Sequence, residues 1–186
     1  MIHVAAVTLS NRKPLSVDIS IVPYNASFRE GCMAAFLSNM PKFFTQDEIR
    51  QFNQWLDYLE NMEVENPSPR ISYYYVVLKE NKVIGCGGLG YNTDPDRAVL
   101  AWGLVHQAYH KQQIGRLLLE FRLKKLAEVF PSSPLWLDTT QHSYPFFQKF
   151  GFVIRKFTEN GYAPGMHRYD MEWLSPSTIS NGSVSV

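Results

Sequence analysis

The stretch "VHQAYHKQQIGRLLLEFRLKKLAEVF", Val105–Phe130, decides the fold. It begins as the end of an apolar strand and passes through polar residues His110 to Gln113. At Ile114 it enters a strongly helical run with one early glycine, Gly115. Leu119, Leu123, Leu126 and Phe130 recur at helical spacing, with the charges expected on the opposite face. The first-turn N–H groups of such a helix lack intrahelical partners and carry the positive end of its dipole. Successive loop amides can cradle phosphate oxygens, and Lys111 and Arg116 supply charge nearby. A strand–loop–helix of this kind is suited to hold an anion.

Working outward, "RAVLAWGLV" ahead of the loop is a strand apolar on both faces, hence central, and "PLWLDTT" after the helix is another. Strand, helix and strand from Val99 to Thr140 predict a right-handed parallel crossover. Upstream, "ISYYYVVLKENKVIGCGGLGY" reads as a hairpin turning at Glu80–Lys82. "SVDISIVPY" alternates as a strand ending at Pro23. Ser27/Glu30 and Thr45/Glu48 have capping-box spacing and open two helices. The first carries Phe28, Cys32, Ala35 and Phe36 on one face and stops at Pro41. The second carries Ile49, Phe52, Leu56 and Leu59, followed by a loop, "EVENPSPR". Downstream, "SYPFFQKF" is a short helix stopped by Gly151, and "FVIRKFTEN" and "HRYDMEW" are two closing strands. The order β-α-α-β-β-β-α-β-α-β-β predicts an α/β fold, a central mixed sheet flanked by helices. The expected domain is 17–174, between an N-terminal extension, 1–16, and a Ser-rich tail, 175–186.

Composition bounds the function. The 186 residues are 45% hydrophobic and 19% charged, ordinary for a globular domain, and the net charge of +1 gives no broad footprint for nucleic acid. Cys32 and Cys86 form neither a disulfide framework nor a metal-ligand spacing and read as buried thiols. The histidines give no close ligand set, so no metal is expected. No stretch reaches membrane-spanning length and the N-terminus lacks a secretion signal, which makes the cytoplasm the expected location. "GCGGLG", Gly85–Gly90, matches a dinucleotide fingerprint in letters, but a strand follows it where a helix is required. Its glycines read instead as a place where another backbone or a ligand comes close.

The loop, together with "LDTTQHSYPFFQKFGF" downstream, resembles the GNAT N-acetyltransferases. Their acetyl-CoA loop, Arg/Gln-x-x-Gly-x-Gly/Ala, aligns with His110-Lys111-Gln112-Gln113-Ile114-Gly115. Their aromatic-Tyr-x-Lys-x-Gly-Phe ending aligns with Phe146 to Phe152. "KVIGCGGL" looks like the family's third strand. The likeness runs from about Val17 to Trp173. It departs at His110, at Gln113 in place of a glycine, and at Phe147, where the family often carries a tyrosine acid.

The resemblance implies a GNAT-like acyl-CoA N-acyltransferase fold and direct transfer of acetyl from acetyl-CoA, a cosubstrate, to a primary amine of a small molecule or peptide. Backbone groups of Leu104 and Val105 would hold the pantetheine arm and polarise the thioester. Amides of Lys111, Gln112, Gln113, Ile114, Gly115 and Arg116 would hold the pyrophosphate, with Phe147 alongside. His106 is the expected base and Tyr144 the expected acid, with Asp138 and His142 as alternative bases. Neither a nucleic acid nor a membrane is an expected partner, and homodimerisation is left open. A non-catalytic acyl-CoA-binding domain of the same fold is the alternative.

Overall fold

The computed structural model describes residues 19–61 and 70–174. The expected extension 1–16, the loop at 63–69 and the tail 175–186 lie outside them. Seven strands form one mixed sheet in the order β1-β2-β3-β4-β5-β7-β6. β1 (Ile19–Pro23), β2 (Arg70–Lys79), β3 (Lys82–Thr93) and β4 (Asp96–Val105) pair antiparallel in succession. β5 (Leu135–Thr139) runs parallel to β4, and β6 (Phe152–Ala163) and β7 (Met166–Trp173) complete the sheet through β7.

The helices cover both faces. α1 (Arg29–Leu37) and α2 (Glu48–Glu60) bury Cys32, Ala35, Phe36, Phe52 and Leu56 against Tyr74, Val76, Cys86 and Leu104. α3 (Ile114–Val129) and α4 (Tyr144–Gln148) close the opposite face. There Leu119 and Leu126 meet Leu89, Leu135, Leu137 and Phe152, while Leu118 and Ile114 meet Val77 and Ile84. The β2–β3 hairpin turns where expected, with Glu80 and Asn81 both left-handed at φ 49° and 61°, the twist a two-residue hairpin favours.

Three local expectations change. Ser27 does not cap; Asn25 does, its side chain accepting from Ser27 N–H at 2.9 Å and Ser27 Oγ at 2.6 Å. α1 stops at Leu37, before Pro41, because Ser38 Oγ and Asn39 Nδ2 turn back onto the Ala35 carbonyl. The charges of α3 do not all face solvent: Arg122 is 3% exposed. The glycines of β3 do mark a close approach of backbone, as expected: a Cβ on Gly85 would stand 2.9 Å from the Leu104 carbonyl oxygen, and side chains crowd two further glycines. A Cβ on Gly88 would stand 2.5 Å from the Tyr74 ring, and one on Gly87 would stand 3.1 Å from Arg122 Nη1. The second capping box does form in half, with Thr45 N–H and Oγ1 donating to Glu48.

Cys32 and Cys86 are both buried and free. The neighbouring Cys86 thiol and burial push the Cys32 thiol far up, so it stays protonated and inert.

Candidate active site

β4 and β5 touch only at their start. Ala98 pairs with Leu135 and Val99 with Trp136, after which the strands part and β5 continues against β7. The β4 edge beyond Val99 therefore has no strand on that side. A bulge sharpens the divergence: the β3–β4 register shifts between Cys86 and Gly88, and Trp102 opposite takes φ 42°. Tyr74 Oη donates to the Trp102 carbonyl at 2.9 Å and holds the bulge.

His106 N–H donates to the Ile84 carbonyl on β3. Alternation then turns the N–H and C=O of Val105 toward the gap. The Val105 carbonyl is already occupied there, accepting from Asn39 Nδ2 and His110 Nε2, both at 2.8 Å. Asn39 is 4% exposed and also ties to Ala35 O. Both lone pairs of that carbonyl are used, so the N–H is the Val105 backbone group left for a ligand. Leu104 offers backbone only, since its side chain lies in the core under α1 and α2.

Beyond the strand end, one tight helical turn, Gln107–Tyr109, leads into the loop. Lys111 and Gln113 are left-handed, at φ 61° and 69°. These conformations suit glycine, and side chains accept them at a cost of roughly 1 kcal/mol each. They turn the loop amides toward the start of α3, where Leu117 N–H donates to the Gln113 carbonyl. The N–H groups ahead of it have no intrahelical acceptor, and Gln113 provides no side-chain cap. Lys111, Gln112 and Gln113 are exposed, and Ile114 is buried as the anchor of the turn. A Cβ on Gly115 would stand 3.8 Å from Phe146 and 3.9 Å from Val105, so α4 and the end of β4 flank the helix start. Arg116 pairs with Glu120 at 2.7 Å and lies over the Phe150 ring.

The two proton-transfer candidates do not meet. His106 Nδ1 accepts from Ala108 N–H at 3.2 Å and its ring packs edge-on to Tyr109. That contact leaves the proton of the neutral ring on Nε2. Tyr144 stacks on Tyr169, centroids 4.3 Å apart. Phe147 fills core space between Phe146 and Phe152.

Across the gap lies Asp138, named from the sequence as an alternative base, with partners that the sequence did not reveal. Leu135 and Leu137 point into the α3 core, so Asp138 projects from the other face by alternation. Tyr162 Oη donates to Asp138, and Arg168 bridges Asp138 at 3.4 Å and Asp170 at 2.7 Å. Burial first, then the Asp138 charge, push the Tyr162 phenol far above its usual range, so it remains a donor. On that face α2 and the bulge enclose a cleft of about 350 Å³ lined by Gln51, Gln54, Trp55, Tyr58 and Trp102.

A parted β4–β5 pair, a bulge and an amide-lined helix start agree with the comparisons. Residues 30–152, well over half the chain, match the model of the Acetyltransferase (GNAT) family. The chain belongs to the GNAT acetyltransferase family. No curated protein matches it in sequence. Solved GNAT structures share the fold at low identity. An acetyltransferase from Staphylococcus aureus Mu50 superposes with TM-score 0.63 at 18% identity, covering 83% of this chain and 98% of its own. A GNAT acetyltransferase from Elizabethkingia anophelis, solved with acetyl-CoA bound, gives 0.60 at 18%, covering 86% and 100%. The ribosomal-protein-S18-alanine N-acetyltransferase from Escherichia coli gives 0.61 at 16%, covering 83% and 92%. Gly85–Gly90 lie inside β3, and strand β4 follows them rather than a helix, so the dinucleotide fingerprint fails in context as expected.

Proposed function

We propose that this GNAT protein transfers the acetyl group of acetyl-CoA to a primary amine of a small molecule or peptide. The observation that carries the reading is the loop: Lys111 and Gln113 take left-handed conformations without being glycine. Backbone that accepts such strain marks a functional turn. Amides from Lys111 to Arg116 would hold the pyrophosphate, and Val105 N–H would donate to the thioester carbonyl as charge develops on it. The attacking nitrogen forms a bond to the acetyl carbon, the carbon–sulfur bond breaks, and the amine proton must leave.

An alkyl ammonium has a pKa of about 10, so a base assists. His106 can take this role only when a ring nitrogen is released from Ala108. Asp138 is the competing base, at the lip of the acceptor face. Tyr144 would return a proton to the thiolate, and Tyr162 is the second phenol available. The domain is proposed to span 17–174 and to act in the cytoplasm; no helix among the described residues is long and apolar enough to cross a membrane.

A second reading, a non-catalytic acyl-CoA-binding domain, is favoured by the closed Val105 carbonyl and by Phe147. An amine panel followed by CoA release decides between them. Turnover with at least one amine supports the transferase, and loss of about 10²-fold or more in kcat for Asp138→Asn or His106→Ala names the base. Acetyl-CoA binding with no turnover on any amine supports the second reading.

A further inference from the structure

Arg122 sits on the apolar face of α3, 3% exposed. Its Nε lies 3.4 Å from the Leu118 carbonyl and its Nη1 3.5 Å from the Gly88 carbonyl, both long for hydrogen bonds. Among the described residues no carboxylate lies within ion-pair distance of it; Glu120 and Glu128 of the same helix pair with Arg116 and Lys125. Burial lowers its pKa to about 10, which leaves it a cation at neutral pH. Buried charges are ordinarily paired, and one without a counter-ion is costly.

The space around the guanidinium is cut by two glycines. A Cβ on Gly103 would stand 2.7 Å from Nη1 and 2.8 Å from Nη2, and one on Gly87 3.1 Å from Nη1. Gly87 and Gly103 thus leave room for the charge against β3 and β4. Gly103 itself is exposed, on the β4 edge that β5 leaves unpaired. One side of Gly103 thus packs on the guanidinium while its strand edge borders the gap. A CoA held by the loop amides at 111–116 would bring its thioester end, not its phosphates, to Gly103–Val105.

We propose that Arg122 is the counter-charge for a negatively charged oxygen on the acyl group of a bound acyl-CoA, met across Gly103. The inference rests on the acyl-CoA reading above. Two sources share this chemistry: the oxyanion formed as an amine adds to the thioester, and the carboxylate of a dicarboxylic acyl donor.

Calorimetry on the full chain tests it without any acceptor. Ethyl-CoA presents a neutral thioether, S-carboxymethyl-CoA places a carboxylate where the thioester carbonyl would be, and acetyl- and succinyl-CoA compare donors. The wild type should bind carboxymethyl-CoA about 10-fold tighter than ethyl-CoA, as a charge facing a poorly solvated cation does. Arg122→Met should bring the two within about 2-fold, with ethyl-CoA affinity unchanged as proof of fold, since an apolar replacement of a buried charge is well tolerated. Arg122→Lys should keep part of the preference, and Gly103→Ala, which displaces the guanidinium, should narrow it. Succinyl-CoA binding tighter than acetyl-CoA, and losing that advantage in Arg122→Met, assigns the donor carboxylate; equal binding assigns the oxyanion. CoA ligands that bind without any charge preference overturn the inference alone. Failure of every CoA ligand to bind overturns the acyl-CoA reading and the inference with it.

Discussion

At Lys111 and Gln113 the backbone adopts φ of 61° and 69°, a region where glycine is at ease and a Cβ crowds the following carbonyl. Gln113→Gly should therefore be neutral or stabilising by about 0.5–1 kcal/mol, despite the entropy glycine adds to the unfolded chain. Gln113→Val, β-branched at positive φ, should destabilise by about 1–2 kcal/mol. Urea denaturation of both variants checks the pair; equal stability would show that the turn has relaxed. The letters of the loop identified its place but not its shape. A missing glycine reads as a missing turn, whereas here the amide geometry persists with side chains that tolerate it.

Among elements, α1 is tied to the end of β4 by Asn39, which donates to both Ala35 and Val105 carbonyls, and by Ser38 Oγ, which accepts from Gln107 N–H at 2.9 Å. Asn39→Ala removes one of two donors from each carbonyl, leaving Ser38 Oγ on Ala35 and His110 Nε2 on Val105, and should cost about 1 kcal/mol in a thermal melt. The same change opens one lone pair of Val105 O in the gap. The opening of α1, the close of α2 and the residue after β1 meet at Glu60, which accepts from Tyr24 at 2.6 Å and Arg29 at 3.0 Å.

The Tyr24 hydrogen bond, then Arg29, hold the Glu60 carboxyl below its usual value. In the unfolded chain Glu60 binds a proton more readily, so its contribution is present above about pH 4.3 and is lost as pH falls through the lowered folded value. The urea midpoint gap between wild type and Glu60→Gln should be wider at pH 7 than at pH 3. A gap that does not change with pH would remove Glu60 from the acid response. Periodicity exposed nearly every helix and strand, because α3, α2 and the β2–β3 hairpin have local signals. It could not expose Asn39 reaching Val105, a contact between residues far apart in the chain. Arg122 escaped for another reason: a basic residue on an amphipathic helix reads as solvated unless the glycines opposite are known to face it.

For the whole molecule, the helices fix a sheet that opens where β4 leaves β5. One side of the opening carries the start of α3, and the other carries Trp102, Asp138 and Tyr162. The succession of elements made this architecture readable. The grouping of Asp138 with Tyr162 and Arg168 was not, because they come from three different strands and share no motif. The central claim is that the amides before α3 and the open β4 edge together hold acetyl-CoA. Calorimetric titration of the full chain with acetyl-CoA, alongside dephosphorylated pantetheine and free pyrophosphate, tests it most directly. The account predicts saturable one-to-one binding of acetyl-CoA, weakened about 10-fold or more by Gly115→Val, which thrusts a branched side chain toward Phe146 and Val105. Absence of acetyl-CoA binding, or binding indifferent to Gly115→Val, would contradict it.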